Sequence, residues 1–135
     1  MILRIEHIGI AIESSEKQEL FSKLLGIEAY KNEEVASEKV KTTFFNIGNS
    51  KIELLEATEK DSVIEKYISK RGEGIHHIAF EVDNIYQEID RLEKQGFELL
   101  SKIPKRGADN KLICFLHPKT TSGVLVEICQ EINSI

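Results

Sequence analysis

Four side chains in this sequence combine ligand chemistry with a repeat-related spacing: His7, Glu53, His77 and Glu127. Two imidazoles and two carboxylates offer two nitrogens and two oxygens. That donor set suits a borderline or hard divalent cation, and two waters would complete an octahedron. Cobalt, nickel, zinc, manganese and magnesium all fit it. What ties the four together is an internal repeat. Ile5-Glu6-His7-Ile8-Gly9-Ile10-Ala11-Ile12 overlays Ile75-His76-His77-Ile78-Ala79-Phe80-Glu81-Val82 at an offset of 70 residues, which puts His7 on His77. The same offset puts Gly26, after Leu24-Leu25, on Gly96, after Lys94-Gln95, and Thr43-Phe44-Phe45-Asn46 on Ile113-Cys114-Phe115-Leu116. A hairpin four residues longer then shifts the second copy, so that Ile52-Glu53-Leu54-Leu55-Glu56 meets Val126-Glu127-Ile128-Cys129-Gln130. An acid interrupting an apolar strand is costly to bury unless something compensates its charge. A pseudo-twofold axis relating the copies would carry all four side chains to one point, where a cation supplies that compensation.

The elements that must position these residues are legible in outline. Residues 2–12 and 75–83 alternate and are rich in β-branched side chains, the period of a half-buried strand. Ile8, Ile10 and Ile12 share one face. His7, Gly9 and Ala11 share the other, as do His77 and Ala79, so small residues leave room beside each imidazole. Ser14 or Ser15 can cap a helix carrying Leu20, Phe21, Leu24 and Leu25, which Gly26 stops in a left-handed conformation. Asp83 or Asn84 does the same for Ile85, Ile89 and Leu92, up to Gly96. Strand-like runs follow near 27–33, 39–47 and 50–57, and again near 97–102, 111–117 and 123–130. Each copy therefore reads βαβββ, giving an α+β fold of two modules, 1–58 and 74–135. Residues 59–73 connect them through a short helix from Asp61 to Lys70, with Val63, Ile64, Tyr67 and Ile68 inward, and the linker Arg71-Gly72-Glu73-Gly74.

Composition narrows the class. At 135 residues, 41% hydrophobic and 30% charged, the chain can bury a core. The net charge of −5 is dispersed, so no basic stripe exists to track a phosphate backbone, and nucleic acid is excluded as a partner. No apolar stretch approaches a membrane span and no signal peptide opens the sequence, which sets the expectation of a cytoplasmic protein. Cys114 and Cys129 lie outside any CxxC spacing and read as small buried hydrophobes.

Other polar residues read more plainly. His76 points away from His77 by strand alternation and is structural or exposed. His117, before Pro118, stabilises a turn. Glu6, Glu56 and Glu81, near strand ends, read as solvated.

Three segments carry a family resemblance: His7-Ile8-Gly9-Ile10-Ala11, then Gly74 through Asp83 with His76-His77 inside it, and Phe115-Leu116-His117-Pro118-Lys119 leading into Gly123-Val124-Leu125-Val126-Glu127. The whole chain resembles the vicinal oxygen chelate superfamily (glyoxalase, bleomycin resistance protein, dioxygenase), and within it the methylmalonyl-CoA epimerases. The resemblance implies two βαβββ modules forming a cupped mixed sheet around one divalent metal. It places His7, Glu53, His77 and Glu127 on the ligand positions and implies a homodimer. The implied activity is interconversion of (R)- and (S)-methylmalonyl-CoA through an enolate, with Glu127 as one base and Glu53 as its counterpart. Some relatives supply that second base as a Glu on the strand Val40-Lys41-Thr42-Thr43, where Thr42 stands here, so Glu53 is the counterpart that could act instead, by leaving the metal when substrate binds. The loop Pro104-Lys105-Arg106-Gly107-Ala108-Asp109-Asn110 is expected at the substrate mouth, although relatives often have His-Gly in place of Asp109-Asn110. Lys105, Arg106 and Lys119 read as solvated lysine and arginine side chains that could also meet substrate anions. The same ligand quartet suits lactoylglutathione lyase acting on a glutathione adduct, and a metal-free small-molecule binding protein shares the fold. An extradiol dioxygenase fits less well, because Glu53 would occupy a position that oxygen or substrate needs.

Overall fold

The computed structural model describes residues 1–132. Its elements run in the order β1 (Ile2–Ala11), α1 (Glu16–Leu25), β2 (Lys31–Val35), β3 (Val40–Ile47), β4 (Ser50–Ala57), α2 (Val63–Arg71), β5 (Gly74–Val82), α3 (Ile85–Lys94), β6 (Lys105–Gly107), β7 (Lys111–Leu116) and β8 (Val126–Glu131). The succession βαβββ thus occurs twice, with α2 between, as the repeat predicts. Two compact units form, one of Ile8–His76 and one of Met1–His7 with the described part of His77–Ile135.

In the unit Ile8–His76 the strands lie in the order β2-β3-β4-β1. Both hairpin pairings, β2 with β3 and β3 with β4, are antiparallel. Alternation sorts their side chains. Phe45, Leu54 and Ile12 turn to one face, where Phe21 and Leu25 of α1 pack on them. Val40, Leu55 and Ala11 turn to the other and meet Ile64, Tyr67 and Ile68 of α2. Ser62 caps α2 by accepting from the Ile64 N–H at 3.2 Å. Gly26 ends α1 with φ 71°, the left-handed stop its sequence position implies.

In the other unit the order is β1-β5-β8-β7-β6. β5 and β8 pair in parallel, with Ala79 beside Glu127, while β7 runs antiparallel to β8 and β6 to β7. Ile85, Ile89 and Leu92 of α3 pack on Val82, Cys114, Leu116 and Ile128. Burying each such aliphatic side chain stabilises the unit by roughly 1.5–3 kcal/mol. Because Val126 and Ile128 point to the helix, the intervening Glu127 points to the opposite face. Asn84 caps α3, its Oδ1 accepting from the Gln87 N–H at 3.1 Å.

Several sequence expectations are corrected. No side chain caps α1; the Ser15 hydroxyl instead donates to Glu56 at 2.9 Å. Leu20, Leu24 and Val63 are exposed, because the apolar stripe of each helix is narrower than its apolar content. The run 97–102 forms only an isolated bridge, Leu99 to Leu116, and the edge strand forms at Lys105–Gly107 instead. The repeat register also slips earlier than the gap-free overlay implies. Phe44 stands opposite Glu53, and Phe115 opposite Glu127. The helix-facing residues are Phe45 in one copy and Leu116 in the other. β3 therefore matches β7 at an offset of 71 (115 − 44), and the second hairpin is three residues longer (12 − 9) rather than four.

Candidate metal centre

Strand β1 carries His7 and strand β5 carries His77, each flanked on its own face by small residues. Their Nε2 atoms are 2.9 Å apart and the rings meet edge to face at 83°. Glu127 reaches the same point from β8, one carboxylate oxygen 3.5 Å from Nε2 of His77 and the other 3.8 Å from Nε2 of His7. All three side chains are buried, and one ligand atom from each lies within 4.8 Å of the other two. Two nitrogens bound at ~2.0–2.1 Å to one cation at a right angle would themselves stand about 2.9 Å apart. The spacing, the burial and the N, N, O donor set thus fit a divalent cation, which would also neutralise a carboxylate planted in an apolar strand.

Neighbouring groups hold the two rings. Phe115, opposite Glu127 in the register, packs edge to face on His77 at a centroid distance of 5.6 Å. Glu6 lies 2.7 Å from Nδ1 of His7, and Arg4 lies 3.6 Å from the second Glu6 oxygen while donating to Glu81 at 3.0 Å. Glu6 is 1% exposed, so its reading as a solvated strand-end acid is corrected, and Glu81 is likewise partly buried in an ion pair. Strand alternation concealed Glu6. The signal that could have found it is the run Arg4-Ile5-Glu6-His7, a buried-length strand that places an acid and a base beside a candidate ligand.

Glu53 lies mid-strand in β4, 4% exposed, within the unit Ile8–His76. It sits opposite Phe44 as Glu127 sits opposite Phe115, so the two acids hold equivalent register positions in their own units. Thr42 shares the Glu53 face, opposite Leu55. The structure brings together His7, His77 and Glu127 within one unit; Glu53 is described within Ile8–His76.

The remaining candidates have the following places. His76 packs edge to face on Tyr67 at 4.9 Å, and burial pushes its imidazole down to about 4. His117 Nδ1 accepts from the Lys119 N–H at 3.1 Å and caps the short turn at 118–120. Lys119 is ion-paired to Glu98 at 2.8 Å. Lys105 and Arg106 are exposed on β6. Both cysteines are buried thiols; burial, assisted by the charge of Glu127, pushes Cys114 up to about 11 and Cys129 higher still. Among the described residues, no helix is long and apolar enough to cross a membrane.

Comparison with known proteins agrees with this fold. The sequence profile of the glyoxalase/bleomycin resistance protein/dioxygenase superfamily matches residues 6–115. The mitochondrial methylmalonyl-CoA epimerase of Homo sapiens is 40% identical over 94% of this chain and 73% of its own length. An uncharacterised protein of Bacillus subtilis is 37% identical over 94% of this chain and 91% of its own. A solved structure of a Streptomyces coelicolor methylmalonyl-CoA epimerase variant in complex with 2-nitronate-propionyl-CoA superposes with a TM-score of 0.93. It is 33% identical, with 98% of this chain and 96% of that one covered. With a matched profile over most of its length and epimerases among its similar relatives, the chain belongs to the glyoxalase/bleomycin resistance protein/dioxygenase superfamily.

Proposed function

We propose that this chain is a metal-dependent epimerase that interconverts (R)- and (S)-methylmalonyl-CoA. The observation that carries the proposal is the convergence of His7 Nε2, His77 Nε2 and the Glu127 carboxylate on one buried point. His7, His77 and Glu127 would hold the cation, and Glu53, buried and repeat-equivalent to Glu127, is assigned as the fourth ligand. A bound divalent cation would supply Lewis-acid stabilisation of the negative charge that builds on the thioester oxygen as the C2 proton leaves. Epimerisation needs that proton removed from one face of C2 and returned on the other. Glu127 is assigned to one transfer and Glu53 to the other: the group that removes the proton starts as the carboxylate, the group that returns one starts as the carboxylic acid, and proton exchange with solvent resets the pair after turnover. The burial of His7, His77 and Glu127 keeps the site away from bulk water, which would strengthen the electrostatic stabilisation of the enolate. The substrate class follows from the relatives, since the Streptomyces coelicolor enzyme is a methylmalonyl-CoA epimerase in complex with a propionyl-CoA derivative. These relatives favour the epimerase over a glutathione-dependent lyase. The proposal includes a homodimeric, cytoplasmic enzyme built of the repeat modules 1–58 and 74–135, joined by 59–73.

Proton NMR of methylmalonyl-CoA in deuterated water, with cobalt-loaded protein, tests it. Loss of the C2 proton signal with wild-type protein, absent with Glu127→Gln, is expected. No exchange by protein that binds cobalt would overturn the epimerase assignment, and turnover of the methylglyoxal–glutathione hemithioacetal would then establish the lyase.

A further inference from the structure

A metal ligand needs more than the right atom in the right place, because a neutral imidazole carries its proton on one nitrogen and its lone pair on the other. His7 can ligate through Nε2 only in the tautomer protonated at Nδ1. The Glu6 oxygen 2.7 Å from Nδ1 sets that choice, since a carboxylate accepts and favours a donor facing it. Arg4 in turn orients Glu6, 3.6 Å from its second oxygen, and is itself anchored by donating to Glu81 at 3.0 Å. All four residues lie in one compact unit with His77 and Glu127. We propose that Glu6 is a positioning residue, accepting the Nδ1 proton of His7 so that the Nε2 lone pair faces His77 and Glu127 in readiness for the cation. This rests on the metal reading above and assigns Glu6 a role that neither the ligand quartet nor the catalytic pair contains. Partners of this kind on ligating histidines typically contribute 10–100-fold in metal affinity.

Glu6→Gln keeps an acceptor oxygen and Glu6→Leu removes it at similar volume, so the pair separates hydrogen bonding from packing. Long-range proton–nitrogen NMR of the metal-free protein reads the His7 tautomer, calorimetric titration with cobalt chloride reads affinity, and thermal melting reads the fold. Wild type and Glu6→Gln are expected to carry the proton on Nδ1. Glu6→Leu is expected to shift it toward Nε2 and to weaken cobalt binding by roughly 10–100-fold, with Glu6→Gln recovering most of the loss. A wild-type His7 protonated on Nε2, or a folded Glu6→Leu that binds cobalt as tightly as wild type, overturns the role. If Glu6→Leu does not fold, the wild-type tautomer and the Glu6→Gln affinity still decide it: a Gln variant with Nδ1–H and an affinity loss beyond about 100-fold counts against positioning. Failure of wild type to bind cobalt while His7 keeps its Nδ1 proton would refute the metal reading itself, a result distinct from Nε2–H with cobalt bound.

Discussion

Replacing Glu127 by Gln should remove the stability that a cation adds while changing the metal-free protein much less. In the metal-free protein the carboxylate is 5% exposed in an apolar strand, and an ionised group there carries a desolvation cost that a neutral amide of the same shape does not. The carboxylate oxygens lie 3.5 Å from His77 Nε2 and 3.8 Å from His7 Nε2, contacts that an amide can partly keep. The two effects offset, and the substitution is expected to change metal-free stability by no more than about 2 kcal/mol. With metal the loss is larger, because a ligand that binds only the folded state stabilises it by RT ln(1 + [M]/Kd), roughly 2.7 kcal/mol at a hundredfold excess over Kd. For a chain of this length each kcal/mol moves the melting temperature by about 3–5 °C. Wild-type protein should thus melt about 8–13 °C higher with cobalt than with chelator. Glu127→Gln should melt near the wild-type chelated value and gain little from cobalt. Differential scanning calorimetry of both proteins, with chelator and with cobalt, reads all four temperatures. A variant that keeps the full cobalt increment would refute Glu127 as a ligand. One that loses several kcal/mol without metal would show that the buried carboxylate is a structural partner rather than a group awaiting a cation.

Further consequences are open to measurement. The buried Glu88 accepts from Arg91 Nε at 2.7 Å and Nη2 at 3.2 Å, and the guanidinium holds its carboxyl below the usual range. A depressed folded pKa contributes stability above the unfolded value that is lost as pH falls through the folded one. Because Arg91 is half exposed, Glu88→Gln should cost only about 1–2 kcal/mol at pH 7, and urea titration should show the difference closing below about pH 4. Gly107→Ala should destabilise by about 1–3 kcal/mol, since a Cβ there would meet Ile113 Cγ2 at 2.9 Å and Cδ1 at 2.8 Å; an unchanged melting temperature would show that Ile113 moves aside without cost. Cys114, held up at about 11, and the still higher Cys129 should not react with a disulfide reagent at pH 8 in the native protein. Rapid modification of either thiol would contradict that burial.

The parts of the fold that were legible in the sequence are those in which one face of an element is apolar and the other is not. His7 and His77 could be matched because their strands share an alternation and because Gly26 and Gly96 follow the two histidines at the same distance. The register of the second hairpin was misread by one residue because Phe44-Phe45 in the first copy presents two aromatic side chains where the second has Cys114-Phe115. Identity alone aligns Phe45 with Phe115. Pairing decides otherwise, since Phe44 stands opposite Glu53 and Phe115 opposite Glu127. The edge strand at Lys105–Gly107 was missed for a different reason. Its residues carry no alternation of their own, and what makes them a strand is the hairpin they close on Lys111–Ile113.

Glu6 marks the limit of alternation as a guide to chemistry. The rule assigns neighbours to opposite faces and then equates the face away from the site with solvent. That second step holds only where one face is wet. Glu6 and His7 are successive residues, both buried, so β1 is covered on both sides at this point and the polar residue beside the ligand has no water to turn to. A carboxylate so placed must find its partners within the protein, and these include His7 Nδ1 at 2.7 Å and Arg4 at 3.6 Å. The same desolvation that makes Glu53 and Glu127 legible as ligand candidates therefore applies to Glu6. An acid in the middle of an apolar strand announces its charge through its apolar neighbours, whereas an acid beside an arginine and a histidine reads as ordinary surface. Reading the flanking Arg4 as a compensating partner, rather than as evidence of exposure, turns Arg4-Ile5-Glu6-His7 into a statement about how the imidazole is held.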